Sequence, residues 1–273
     1  MAKVRLDTLL HQRGLYPSRS AAAAAVLAGA VRLGGPSVNP HARPIKPGLQ
    51  VAEDVEIETA EAAQFVSRGG TKLANALEGL DVAVAGRRAI DVGASTGGFT
   101  DCLLQLGAEA VTCVDVAYGE LAWSIRSDDR VTVIERQNAR ELTPELLPYV
   151  PDLVVADVSF ISLTKLLPAM GEIVAPTFDA LLMVKPQFEL GKHRVGSGGV
   201  VRDPELRREA VRLVAEHAMT LGWSVLAARS SGLPGPKGNR ETFLHLAEGG
   251  RAPHRTPDEL DELIVAAEPE GTA

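Results

Sequence analysis

Long apolar runs are missing from this chain of 273 residues. None approaches the ~20 residues that a membrane-crossing helix needs. Cysteine is scarce too. Cys102 and Cys113 both lie in apolar surroundings, which predicts buried, reduced thiols and excludes a disulfide framework. The glycine-rich stretch "IDVGASTGGFTD" (90–101) lacks two common phosphate signatures. It has neither the G-x-G-x-x-G of a dinucleotide fold nor the Gly-Lys-Ser/Thr that closes a P-loop. Excess positive charge is absent as well, the formal net charge being −7.

The distribution of that charge is uneven. Residues 1–50 hold seven Lys/Arg against the single acid Asp7, a local balance of +6, so the remaining 223 residues carry −13. A basic end on an acidic body is the asymmetry of an arm that binds RNA or a membrane surface. The run "AAAAAVLAGA" follows this basic start and ends like a signal-peptidase site, but Asp7, His11, Arg13 and Arg19 interrupt the approach and alanine replaces leucine. The expected location is cytoplasmic.

The first sixty residues predict a compact α+β unit. "VRLDTLLHQRG" places Val4, Leu6, Leu9 and Leu10 on one helical face and stops at Gly14. A second helix starts at the candidate N-cap Ser18 and ends at Gly29. Short strands follow in "AVRLGG" and "QVAEDVEIE", joined by a loop from Pro36 to Pro47. The domain expectation is 1–58 for this unit, 59–66 for a linker, 67–250 for a second domain and 251–273 for an acidic tail with a short helix.

From Lys72 onward strand and helix alternate. Strands are expected at 87–93, 110–116, 130–135, 152–157, 179–185, 223–229 and 241–247. Helices are expected near 71–79, 98–106, 119–126, 141–147, 161–174 and 203–221. Continuous apolar strands such as "DLVVAD" separated by helices indicate a parallel sheet covered on both faces. In such sheets ligands bind beyond the carboxyl ends of the strands.

At that edge the first strand brings Asp91 and the turn Gly93, Ala94, Ser95, Thr96 and Gly97. The second ends in Asp115, able to accept from two ribose hydroxyls, and the third leads to Asn138, donor and acceptor for a base edge. A nucleoside cofactor without phosphates suits this set, and S-adenosylmethionine fits that description. Asp157 and Lys185 end the fourth and fifth strands. Glu241 opens the last strand, beside them if that strand runs antiparallel, and Lys72 is expected in the first turn of the helix before strand one. Each of the four read singly is an ordinary surface charge or salt bridge. Together, two lysines and two carboxylates on one rim are machinery for removing a proton from a hydroxyl.

These segments carry a resemblance. "VSRGGTKL", "DVGASTGGFTD", "VDVAYGELAW", "ERQNAR", "LVVADVSFISL", "VKPQFE" with "GKHRVGSGGVVRDP", and "LPGPKGNRETFL" resemble, in order, segments of the TlyA (hemolysin A) family of ribosomal RNA cytidine 2′-O-methyltransferases. The resemblance spans roughly residues 3–248. It implies an α/β fold: a Rossmann-like class I methyltransferase with a mostly parallel seven-stranded sheet, related to the FtsJ enzymes, behind a small N-terminal RNA-binding domain of the S-four type. It implies S-adenosylmethionine as cofactor, a catalytic tetrad at Lys72, Asp157, Lys185 and Glu241, and ribosomal RNA or ribosomal subunits as partner. No membrane, no metal and a monomer are the further expectations. The residues expected to meet RNA are Arg5, Arg13, Arg19, Arg32, Arg43, Lys46, Arg68, Lys192 and Arg194. Three rival readings are a methyltransferase acting on small molecules or proteins, a membrane-lytic protein, and a ribosome-binding factor without catalysis.

Overall fold

The computed structural model describes residues 3–16, 18–27, 30–34, 45–59 and 64–267, apart from the side chain of Lys192. Arg43, Gly29, most of the Pro36–Pro47 loop and residues 60–63 of the 59–66 linker lie outside the described residues. Two compact units divide the chain, residues 1–64 and 65–273.

The first unit runs β1 (Lys3–Arg5), α1 (Leu6–Gln12), α2 (Arg19–Leu27), β2 (Val31–Leu33), β3 (Gln50–Ala52) and β4 (Ile57–Thr59). β1 pairs antiparallel with β3 and β2 with β4. Leu6, Leu9, Leu10, Ala22, Val26, Val31 and Val51 form its core. Val4 departs from the expected helical face and lies in β1 opposite Val51. Arg5 is still extended, and the first helical N–H groups, of Leu6 and Asp7, go to the carbonyls of Leu49 and Pro47. Ser18 behaves as expected of an N-cap, its Oγ accepting from Ala21 N–H at 3.1 Å.

The second unit opens with α3 (Arg68–Leu77) and continues β5 (Arg88–Val92), α4 (Gly98–Gln105), β6 (Ala110–Asp115), α5 (Trp123–Arg126), β7 (Val131–Glu135), β8 (Leu153–Ala156), α6 (Leu167–Ile173), β9 (Asp179–Val184), α7 (Pro186–Glu189), α8 (Pro204–Thr220), β10 (Ser224–Ser230), β11 (Thr242–Ala247) and α9 (Pro257–Ala267). Seven strands form one sheet in the order β10-β11-β9-β8-β5-β6-β7. Every pairing from β9 to β7 is parallel, and β11 alone runs against its neighbours. Both faces are covered, since alternate residues of the same strands enter two separate buried clusters.

Three expected helices are shorter. Residues 117–122 pass over the turn after β5, with Ala122 N–H donating to Thr96 O at 3.1 Å, which leaves α5 only four residues. Residues 139–146 make two 3₁₀ turns, the second beginning at Pro144. In 161–174 a 3₁₀ turn precedes α6, whose first turn contains Pro168. Beyond residue 250, α9 buries Leu260 and Ile264 in the cluster that includes α8.

Candidate active site

Strand order reverses between β5 and β8, and there the turn after β5 opens the sheet. Gly93 has φ +83°, and a Cβ on it would stand 2.6 Å from the carbonyl oxygen of Asp157. Only glycine lets this turn lie against the end of β8. Ser95 follows with φ +47°, uncommon for a residue with a side chain. α4 then starts, and Gly98 and Gly70 let it approach α3 closely. A Cβ on Gly98 would lie 2.1 Å from Ser67 Oγ, and one on Gly70 would lie 2.8 Å from Gly98 O. This contact fixes α3, and with it Lys72, beside the turn.

Ser67 caps α3, which begins at Arg68, so Lys72 falls in the second turn and not the first. Its side chain is buried, and Nζ donates to Glu241 Oε2 at 2.5 Å. Glu241 reaches this point because β11 is antiparallel: Thr242 pairs with Val184, which places the start of β11 beside the end of β9. Lys185, the next residue after β9, has its Nζ 2.5 Å from Asp157 Oδ1 and donates to Ser159 Oγ at 3.0 Å. The two lysines thus form two separate ion pairs. The first is shut away from solvent, with side-chain exposures of 8% and 2%; the second is more open, at 12% and 26%.

All four charges line one cavity of about 420 Å³, together with Asp91, Gly93, Ala94, Ser95, Thr96, Gly98 and Ser159. Asp91 is fully buried at its floor. Its Oδ2 accepts from the N–H and the hydroxyl of Thr100 at 3.0 and 2.7 Å, while Oδ1 has no hydrogen-bond partner. Burial pushes this carboxyl up to about 7, the Thr100 hydrogen bonds opposing only part of the rise. Gly97, with φ +94°, forms the N-cap of α4.

Toward β6 and β7 the cleft narrows. Asp115 accepts from Ser95 N–H at 2.7 Å and from Ala117 N–H at 2.8 Å, and Ser95 Oγ donates to Glu120 at 3.3 Å. The pocket lined by Asp115, Glu120, Val133 and Glu135 holds only about 10 Å³. Asn138 does not line it. Its side chain accepts from Arg140 N–H and donates to Glu141, capping a 3₁₀ turn. On the other side of Lys185 and Glu241 lies a cavity of about 550 Å³ lined also by Phe160, Phe188, Lys237 and Asn239. Phe160 has φ +65°, is 92% exposed and packs its ring 5.3 Å from that of Phe188. Sequence reading missed Phe160, Ser159 and Glu120. An aromatic immediately after "VVADVS" was the available signal for the first.

The basic residues are dispersed in role. In the first unit Arg5 and Arg19 both approach Asp7, at 2.6 and 3.8 Å. Arg13 donates to the backbone carbonyls of Glu53 and Val55, tying α1 to the β3–β4 turn. Arg32 and Lys46 are exposed. In the second unit Arg68 donates to Pro234 O at 2.6 Å, and Arg194 is paired with Glu209. Cys102 and Cys113 are free and buried as expected, burial pushing both thiols up to about 12.

Known proteins match both units. Residues 65–248 match the FtsJ-like methyltransferase family, and residues 4–51 match the S4 domain. The 16S/23S rRNA (cytidine-2′-O)-methyltransferase TlyA of Mycobacterium tuberculosis is 50% identical over 247 residues, 89% of this chain and 90% of that protein. Hemolysin A of Brachyspira hyodysenteriae is 36% identical over 89% of this chain and 99% of its own. A solved structure carrying a hemolysin name, from Streptococcus thermophilus, superposes with a TM-score of 0.72 at 36% identity, covering 98% of this chain and 96% of that one. An FtsJ-like unit behind an S4 domain, half identical to an established relative across nearly all of both chains, makes this protein a member of the TlyA family of methyltransferases.

Proposed function

We propose that the chain transfers a methyl group to the ribose 2′-hydroxyl of cytidine in ribosomal RNA, acting in the cytoplasm on the RNA or on ribosomal subunits. The observation that carries this reading is the pair of lysine–carboxylate contacts lining one cavity, beside a glycine turn without the phosphate signatures. The named activity of the M. tuberculosis relative supplies the substrate class.

S-adenosylmethionine is the cofactor this class implies, and when bound it supplies a methyl group on a sulfonium that is its own leaving group. The residues fit its amino-acid end. Asp91 Oδ1 is a buried acceptor lacking a partner and would take its ammonium, and the backbone of Gly93 to Gly97 would meet its carboxylate. Asp115 keeps lone pairs for a ribose beyond its two backbone donors. Admitting an adenosine there requires Glu120 to swing away from Ser95. Asn138, spent on its 3₁₀ turn, is replaced in this reading by the wall of Val133 and Glu135.

Lys185, once its ammonium has released a proton to solvent, takes the proton from the hydroxyl as the free amine. Asp157 and Ser159 hold its Nζ toward the cleft, and the buried Lys72–Glu241 pair forms a rigid part of the lining. The cavity lined by Phe160 and Phe188 is large and apolar enough to receive the target nucleotide's base. Much of the acceleration comes from positioning two bound reactants. Among the described residues no helix is long and apolar enough to cross a membrane.

Single-turnover methylation of ribosomal RNA tests the assignment, with ribose methylation mapped on the product. Lys185→Ala and Lys185→Arg should both lose at least ~10²-fold in rate, the low end for a lost proton acceptor. Their S-adenosylmethionine affinity should stay within about threefold of wild type. Guanidinium keeps the charge but cannot give up its proton. A wild-type rate in Lys185→Arg would leave Lys185 as a structural partner of Asp157.

A further inference from the structure

Asp7 is the single acid among the first fifty residues, and it is almost fully buried, at 4% exposure. An acid inside a basic arm should weaken any attraction to RNA. Its contacts point to a different role. Arg5 grips it with two bonds, Nε to Oδ1 at 3.1 Å and Nη2 to Oδ2 at 2.6 Å. Arg19, from the start of α2, reaches the same Oδ2 at 3.8 Å. The two guanidinium groups stay about half exposed, at 48% and 56% of their side chains, while the carboxylate beneath them is 6% exposed.

We propose that Asp7 is a positioning residue that gathers Arg5 and Arg19 into one preorganised site for an RNA phosphate. Three further contacts build the site. Thr8 Oγ donates to Asp7 Oδ1 at 3.1 Å and fixes the carboxylate. Pro47 O and Leu49 O hold the N–H groups of Asp7 and Leu6, so the turn carrying exposed Lys46 abuts the same corner. Gly48 leaves room for the Arg5 fork, since a Cβ there would lie 3.2 Å from Nη1. The triad has a net charge of +1, and each arginine keeps N–H donors that Asp7 does not take. A planar fork fixed in advance loses less freedom when it closes on a phosphate. Arg13, bonded to the carbonyls of Glu53 and Val55, is not among the contacts of Asp7.

The inference rests on reading the first unit as an RNA-binding module, and the sign of one substitution tests it. Asp7→Asn removes a negative charge and keeps the size. If charge alone mattered, binding would tighten. If Asp7 positions the arginines, binding weakens, by about tenfold for two long side chains set free. The log–log salt slope should fall by about one as a phosphate contact is lost. Filter binding of the full-length protein to deproteinised ribosomal RNA over a salt series reads both quantities. Thermal melts confirm that the variant is folded, and Arg5→Lys, which keeps the charge without the fork, should weaken binding to a similar degree. Wild-type or tighter binding by folded Asp7→Asn overturns the proposal. Wild-type protein without salt-dependent binding overturns the module reading, and the proposal with it.

Discussion

The two lysine–carboxylate pairs of the cleft should separate when their coupling energies are measured. At 2.5 Å and an effective dielectric of about 20, Lys72 and Glu241 attract by roughly 5–7 kcal/mol, most of it cancelled by the cost of taking both out of water. Removing one partner leaves the other charge buried at a cost of about 3–5 kcal/mol. Glu241→Gln, which keeps the shape, should therefore destabilise the catalytic unit by about 3 kcal/mol, a fall in Tm of about 6–12 °C for a unit of this size. Lys72→Met should cost about as much, and the double variant should recover at least about 2 kcal/mol as coupling. Lys185 and Asp157 are equally close but more exposed, so their coupling should be smaller than that of Lys72 and Glu241 while their loss stops methylation. Urea unfolding followed by tryptophan fluorescence isolates the right unit, because Trp123 and Trp223 both lie in it. Equal coupling in the two pairs, or a Lys72–Glu241 coupling below about 1 kcal/mol, would refute the division into a rigid wall and a reactive one.

Two further outcomes follow from the floor and the turn of the cleft. Asp91 is raised from 3.8 to about 7, so the folded apoprotein binds the extra proton and loses stability as pH rises through that interval, by about 4 kcal/mol at most. Asp91→Asn should stabilise the apoprotein at pH 8 yet weaken S-adenosylmethionine. Wild-type affinity should tighten from pH 6 to pH 8 with proton release, and an equally steep calorimetric profile in Asp91→Asn would sink the ammonium assignment. Gly93→Ala forces a side chain into positive φ and against the Asp157 carbonyl. S-adenosylmethionine affinity should drop at least about tenfold with a Tm lower by a few degrees, at ~1 kcal/mol or more of strain. Unchanged affinity would mean that the turn does not hold the cofactor.

Much of the fold was legible because its signals are local. Strands such as Leu153–Ala156 and Asp179–Val184 are buried on both faces and read as unbroken apolar runs. The turn after β5 announced itself because its three glycines, Gly93, Gly97 and Gly98, stand where a Cβ would clash. Asp157, Lys185 and Glu241 could be set on one rim because strand polarity alone decides which end of a strand meets the ligand.

Which charge chose which partner was not legible. Lys72 and Glu241 are 169 residues apart, and only the register of β11 against β9 brings them together. Local propensity likewise could not show that Val4 joins a strand, since its pairing with Val51 depends on a segment nearly fifty residues away. Nor could it show that residues 117–122 bend across the turn after β5, with Ala122 N–H on Thr96 O, or that Arg13 bonds the backbone carbonyls of Glu53 and Val55. Periodicity and turn chemistry act over a few residues and mark where strands, helices and reactive side chains stand. Packing and desolvation act between distant segments, and they decide which of those side chains are buried as scaffold and which are left facing the cleft.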